Sequence, residues 1–230
     1  MRRLILFDVD GTLVDAGGAG KRALGEALLA VYGRTGAIEG FRMGGRTDPE
    51  IVRELLCGAG MPLEEVEAGL DALWADYLRR LEDAVGGGGV RALPGTAALL
   101  ERVEARGAPT VLGLLTGNLA EGARIKLEAA GLGFRRFAVG AFGSDHWRRT
   151  ELPAVAAARA RERTGTEFRG KEIVIVGDTP FDISCGAHLG VRTVAVATGR
   201  HSAAELASCG PDHLFEDLAD PDAFWAAVAA

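Results

Sequence analysis

The chain has 230 residues, 48% of them hydrophobic and 25% charged, enough to bury one large core or a core with a smaller insert. Its 26 basic and 32 acidic side chains leave a formal charge of −6, which excludes a bulk electrostatic hold on nucleic acid or an anionic membrane. Any anionic ligand must therefore be held locally. Cys57, Cys185 and Cys209 form no CxxC pair and suit reduced thiols better than a disulfide frame or a zinc site. The opening MRRLILFDVDG places only four apolar residues before its first aspartate, too few for a signal peptide or a membrane span. A cytoplasmic location is expected.

In chain order, Leu4–Phe7 is a continuous apolar run of strand length, as in a strand buried on both faces of a parallel sheet. Residues 16–90 then read as helices without a strong strand, at 20–33, 48–60 and 62–85. In the last of these, Val66, Leu70, Leu73, Trp74, Tyr77, Leu78 and Leu81 recur at spacings of three and four. A GGGG run at 86–89 follows as a flexible hinge, with Gly17, Gly18 and Gly20 as its counterpart. Beyond it, apolar runs at 110–118, 137–143, 172–178 and 192–199 alternate with helical stretches at 95–107, 120–131 and 151–165. This alternation predicts an α/β fold, a doubly wound and mainly parallel Rossmann-like sheet with active groups at the carboxyl ends of its strands. The core is assigned to 1–15 and 91–230, and a helical insert to 16–90.

Asp8 and Asp10 stand two residues apart behind the first strand, where an extended chain points both side chains the same way. Two close carboxylates stay ionised only beside a cation, and a hard divalent ion such as Mg²⁺ takes one or two carboxylates with water and substrate oxygens. Asp178, ending another apolar run, supplies a further ligand if the two strands are neighbours. Gly11 allows a sharp turn past the site, and Thr12 leaves a hydroxyl facing it.

DVDGT at 8–12, LLTGN at 114–118 and GDTPFD at 177–182 resemble, in order and spacing, motifs one, two and four of the haloacid dehalogenase superfamily. The insert directly after motif one resembles the type-one helical cap of its phosphoglycolate phosphatase-like branch. The resemblance implies that Asp8 is the nucleophile that forms an aspartyl-phosphate, and that Asp10 is the general acid and base, its backbone carbonyl also binding the metal. It further implies that Thr116 bonds a phosphoryl oxygen beside the Gly117 and Asn118 backbone N–H groups. Asp178 would ligate Mg²⁺, and Asp182 would support that site.

Motif three departs from the pattern, because the family's usual lysine has no counterpart between Lys126 and Lys171. Lys126 is placed roughly 12 Å along a helix axis beyond motif two. Lys171 precedes its strand, roughly 20 Å from the carboxyl end. Both are judged out of reach. Arg149, four residues before Pro153 in DHWRRTELP, takes the place of that lysine, with Arg148 as second choice. Arginine brings a fixed charge and a bidentate fork for phosphate.

In the insert, MGGRTDPE at 43–50 is the candidate for substrate choice, with Arg46 meeting a substrate carboxylate and Asp48-Pro49 starting a helix. The expected function is a Mg²⁺-dependent phosphatase acting on a small phosphate ester, phosphoglycolate among the candidates. A phosphosugar mutase of the same superfamily and a non-catalytic phosphometabolite-binding protein are the alternatives. The four histidines show no metal-ligand spacing, and Trp147 beside a basic pair is too little for nucleic-acid stacking. The sequence leaves the oligomeric state open.

Overall fold

Residues 2–107 and 110–229 are described by a computed structural model of the chain. The first apolar run forms β1 (Arg3–Phe7), every residue of it buried. A short β2 (Val14–Asp15) leads into four helices, α1 (Ala19–Tyr32), α2 (Asp48–Gly58), α3 (Leu63–Ala68) and α4 (Leu70–Gly86), and the chain returns through β3 (Arg91–Ala92). β2 and β3 pair antiparallel, so the helical segment leaves and re-enters between two adjacent strands. The rest alternates: α5 (Thr96–Glu104), β4 (Thr110–Leu115), α6 (Ala120–Ala129), β5 (Val139–Ala141), α7 (Leu152–Thr164), β6 (Ile173–Gly177), α8 (Pro180–Ser184), β7 (Arg192–Val196), α9 (Ala203–Ser208), β8 (His213–Phe215) and α10 (Pro221–Ala229).

The main sheet runs β5-β4-β1-β6-β7-β8 and every pairing in it is parallel. It is the α/β core expected, with β1 in the middle. Alternation along β1 divides the interior: Ile5 and Phe7 face one layer, with residues from α5, α10 and the inserted helices, while Leu4 and Leu6 face α7 through Leu152, Ala156 and Ala160. Phe7 is in register with Leu114 of β4 and Val176 of β6. β1 therefore ends level with the next-to-last residues of β4 and β6, and motifs one, two and four all emerge from the same edge beside the strand where the winding reverses. Arg3 is buried at the opposite end of β1, where its Nε donates to Val228 O at 2.6 Å and Arg192 donates to Ala227 O. Two cations thus meet the last carbonyls of α10, where the helix dipole favours positive charge.

Two elements differ from expectation. The 62–85 stretch is two helices, broken at Gly69, a poor helix former. At the break the Tyr32 hydroxyl donates to Val66 O at 2.6 Å and so occupies a carbonyl at the end of α3. β8 was not expected, since its three residues are only half-buried at the sheet edge and carry a weak hydrophobic signal. No helix among the described residues is long and apolar enough to cross a membrane.

Because β1 is buried on both sides, its side chains have no surface to relax toward. Leu6→Ala is expected to cost about 2–5 kcal/mol of unfolding free energy, read as a lower midpoint in urea with an unchanged slope.

Candidate active site

The chain turns sharply as it leaves β1. The Asp8 N–H donates to Val176 O at 2.9 Å, continuing the pairing one residue past the strand, and the Leu13 and Val14 N–H groups then fold back to Val9 O. Gly11 sits at φ +81° inside this turn, and a Cβ there would lie 2.4 Å from Asp178 Oδ2. Glycine is required twice over, by the left-handed backbone and by the carboxylate pressed against it.

Asp8, Asp178 and Asp182 meet there, each buried, each offering a carboxylate oxygen within 4.8 Å of the others. The Thr12 hydroxyl donates to Asp178 Oδ1 at 3.1 Å. Asp182 divides its oxygens: Oδ2 accepts from the Thr179 N–H and hydroxyl in a capping box at the start of α8, while Oδ1 accepts from Arg149. Arg149 Nη2 also lies 3.5 Å from Asp8 Oδ1. This arginine, in a turn just before α7, is buried in the cluster, whereas Arg148 stacks on the outward Trp147 ring at 4.5 Å. Arg149 Nε has no partner among the described residues, a donor buried beside the nucleophile candidate.

The electrostatics follow from burial. Desolvation pushes the Asp8 carboxyl up to about 6, with Arg149 pulling it down and Asp182 adding to the rise. Burial likewise drives Asp178 well above the carboxylate range, reinforced by Asp182 and Asp8. For Arg149 burial opposes the charge, but Asp182 and Asp8 outweigh it and hold the guanidinium charged. Three carboxylates facing one guanidinium leave an excess of two negative charges when all are ionised. A compact set of hard oxygen donors with that excess fits a divalent cation such as Mg²⁺.

Asp10 departs from the sequence reading. Its carboxylate is not in the three-carboxylate cluster; Oδ2 accepts instead from Lys126 Nζ at 2.6 Å and from Asn118 Nδ2 at 2.8 Å. The expected side-by-side arrangement fails because the strand ends at Phe7, so the two-residue alternation does not carry through the turn. Lys126 itself corrects a second expectation. Axial rise alone puts Lys126 out of reach, but helical side chains lean toward the N-terminus, and this one reaches back along its own helix to motif two. Lys171 stays away from the site, paired with Asp212 at 2.7 Å.

Motif two gathers close by. Thr116 is buried, its hydroxyl accepting from Asn118 Nδ2 at 2.8 Å, and it favours the charged form of Asp8. A Cβ on Gly117 would come 1.9 Å from Arg46 O, so the 43–48 loop of the inserted segment rests directly on this turn. Asp48, read from sequence only as a helix start, is buried there: its N–H donates to Gly117 O at 2.8 Å and its Oδ2 accepts from the Leu119 N–H at 2.9 Å. Burial pushes its carboxyl up to about 6, with Lys126 opposing. Thr47 caps α2 and donates to Trp147 O. Arg46, expected to meet a substrate carboxylate, here pairs its guanidinium with Glu54 at 3.3 Å and covers the rings of Phe41 and Phe181.

Without a cation the cluster has a definite pH signature. The folded state holds the Asp8 proton more tightly than the unfolded chain, so stability falls as pH rises from about 4 to about 6 and stays lower above. In chelator at pH 8, Asp8→Asn is expected to stabilise the fold by on the order of 2 kcal/mol, the gain shrinking toward pH 4 in thermal melts. A destabilised variant at pH 8 is the contrary result.

The fold and part of the sequence are similar to those of known proteins. A family model described as HAD-hydrolase-like matches residues 152–221, the stretch from α7 to the start of α10. A curated relative, phosphoglycolate phosphatase of Rhodobacter capsulatus, is 33% identical over 114 residues, which is 49% of this chain and half the length of that relative. A hydrolase structure from Pseudomonas syringae superposes with a TM-score of 0.72 at 23% identity, covering 96% of this chain and 95% of that one. CbbY from Rhodobacter sphaeroides, solved in complex with phosphate, gives 0.69 at 20% identity, covering 96% and 97%. A predicted phosphoglycolate phosphatase from Haemophilus somnus gives 0.67 at 23% identity, covering 95% and 96%. With motifs one, two and four converging on one sheet edge, the chain is similar in fold to these hydrolases, and in sequence to the HAD-hydrolase-like family over residues 152–221.

Proposed function

We propose that the protein is a Mg²⁺-dependent phosphatase that hydrolyses a small phosphate monoester through an aspartyl-phosphate on Asp8, working in the cytoplasm. The observation that carries this reading is the buried Asp8 held beside a single guanidinium whose Nε is free, at the edge where β1, β4 and β6 end.

In this reading Asp8 attacks phosphorus, and one difficult displacement becomes two easier ones. Arg149 and the Thr116 hydroxyl, with the Gly117 and Asn118 backbone N–H groups, meet the phosphoryl oxygens. Asp8, Asp178, the Asp10 carbonyl and Asp182 behind them would hold Mg²⁺, which when bound offsets the excess negative charge of the carboxylates and the phosphoryl group. Asp10 gives a proton to the leaving oxygen and later takes one from water. The segment 16–90 acts as a cap over the core of 1–15 and 91–230, and its 43–48 loop supplies the contacts to the leaving group. Phosphoglycolate is the substrate suggested by the curated relative's name; Arg46 meets its carboxylate only by leaving Glu54.

The test is phosphate release from a panel of small monoesters that includes phosphoglycolate, with Mg²⁺ and with chelator. Release is expected to need Mg²⁺ and to drop by more than about a thousandfold in Asp8→Asn. Phosphate moved within a sugar phosphate, with none released, would replace this reading by a mutase; no turnover of any ester by the folded protein would leave a binding role.

A further inference from the structure

Lys126 is one of three lysines in the chain and is almost wholly buried, with 5% of its side chain exposed. Asp10, its partner, keeps 42% of its side chain exposed. A buried ammonium is costly to desolvate, and a carboxylate with that much access to water does not require one for its own solvation. The contact calls for another explanation.

We propose that Lys126 is a positioning residue that decides which oxygen of Asp10 exchanges the proton during phosphoryl transfer; this rests on the phosphatase reading above. The argument begins with the donor inventory. An ammonium donates and never accepts, so Lys126 Nζ, 2.6 Å from Asn118 Oδ1, obliges Asn118 to present its oxygen there. The Asn118 amide nitrogen must then face the other way, where it donates to Asp10 Oδ2 at 2.8 Å and to Thr116 Oγ1 at 2.8 Å. Lys126 Nζ adds its own bond to the same Oδ2 at 2.6 Å. Oδ2 therefore carries two donors, while Oδ1 accepts no hydrogen bond among the described residues. One oxygen is anchored and the other is left for chemistry.

The ammonium has little room to move. A Cβ at Gly20, at the start of α1, would lie 3.3 Å from Nζ, and the buried Asp48 carboxylate acts on it from the inserted segment. During transfer the bond from an Asp8 oxygen to phosphorus forms as the bond from phosphorus to the leaving oxygen breaks, and that oxygen takes the proton of Asp10 Oδ1. In the second half, water adds to phosphorus, the Asp8–phosphorus bond breaks, and Oδ1 takes the water's proton.

In kcat/KM, which ends with formation of the aspartyl-phosphate and loss of the leaving group, a residue acting through the leaving-group proton shows itself only where that proton is needed. p-Nitrophenol leaves as an anion without help, whereas an alcohol does not. Lys126→Met is expected to lower kcat/KM for the fastest alkyl monoester by about 10–100-fold, and for p-nitrophenyl phosphate by less than about 3-fold. In an Asp10→Asn background the same substitution is expected to cause no further loss on the alkyl ester. Where the Met variant does not fold, Lys126→Gln, which keeps a donor without the charge, is expected to show the same selectivity at smaller size. Equal losses on both esters, or additive losses in the double variant, overturn the inference alone. A wild type that hydrolyses p-nitrophenyl phosphate but no alkyl ester also overturns it, while one that hydrolyses neither removes the phosphatase reading and this inference together.

Discussion

Three carboxylates confined to one buried pocket are the constraint around which the rest of the molecule is arranged. With carboxylate oxygens within 4.8 Å of one another and an effective dielectric near 20, each pair, when both members are ionised, opposes folding by at least about 3 kcal/mol. No local sequence preference assembles such a group. It is assembled because β1 and β6 are adjacent, buried on both faces and in register, which fixes Asp8 and Asp178 at one edge whatever their charges prefer. The apolar layers on both sides of the sheet carry the cost. Arg149 then offsets part of the repulsion, and Asp182 lowers its own contribution by committing one oxygen to the capping box of α8.

The two aspartates of the DVDGT turn are served by two different cations. Asp8 faces a guanidinium, planar and permanently charged, whose remaining donor suits an oxyanion. Asp10 faces an ammonium that also fixes a neighbouring amide. A lysine in place of Arg149 would be a point charge with no fork; Lys126 is a compact ammonium whose Nζ would lie 3.3 Å from a Cβ at Gly20. Under the proposed function, Arg149 in place of a lysine is a local exchange of one cation for another at Asp8, and it leaves the surroundings of Asp10 to Lys126.

What could be read from the sequence was whatever lies along a single element. The apolar runs gave the strands, their polar ends gave Asp8, Thr116 and Asp178, and position before Pro153 gave Arg149, which the fold brings against Asp8. Readings failed where contact depends on how elements meet. Lys126 and Asp10 are 116 residues apart, and no periodicity announces their pairing. Asp48 carries the ordinary signal of a helix start, and only the docking of the 43–48 loop makes it buried. The partners of Arg46 come from elsewhere, Glu54 from within α2 and Phe181 from motif four. The break at Gly69 depends on Tyr32, a residue of a different helix.

The same long-range contacts change the meaning of a short motif. Gly117 reads as a glycine that brings backbone N–H groups near phosphate, yet its missing side chain is also the space taken by the carbonyl of Arg46. Its own carbonyl receives the Asp48 N–H, and the next peptide but one gives its N–H to the Asp48 carboxylate. The inserted segment is therefore keyed to motif two through backbone groups, whose positions are set by the path of the chain and not by the identity of exposed side chains. A substitution at Arg46 can leave this junction intact, because it is the residue's carbonyl that docks. A substitution at Gly117 cannot, because any Cβ there collides with that carbonyl before it meets a substrate. Under the proposed phosphatase reading, loss of activity on substitution at position 117 would thus report on the seating of the insert as well as on phosphate.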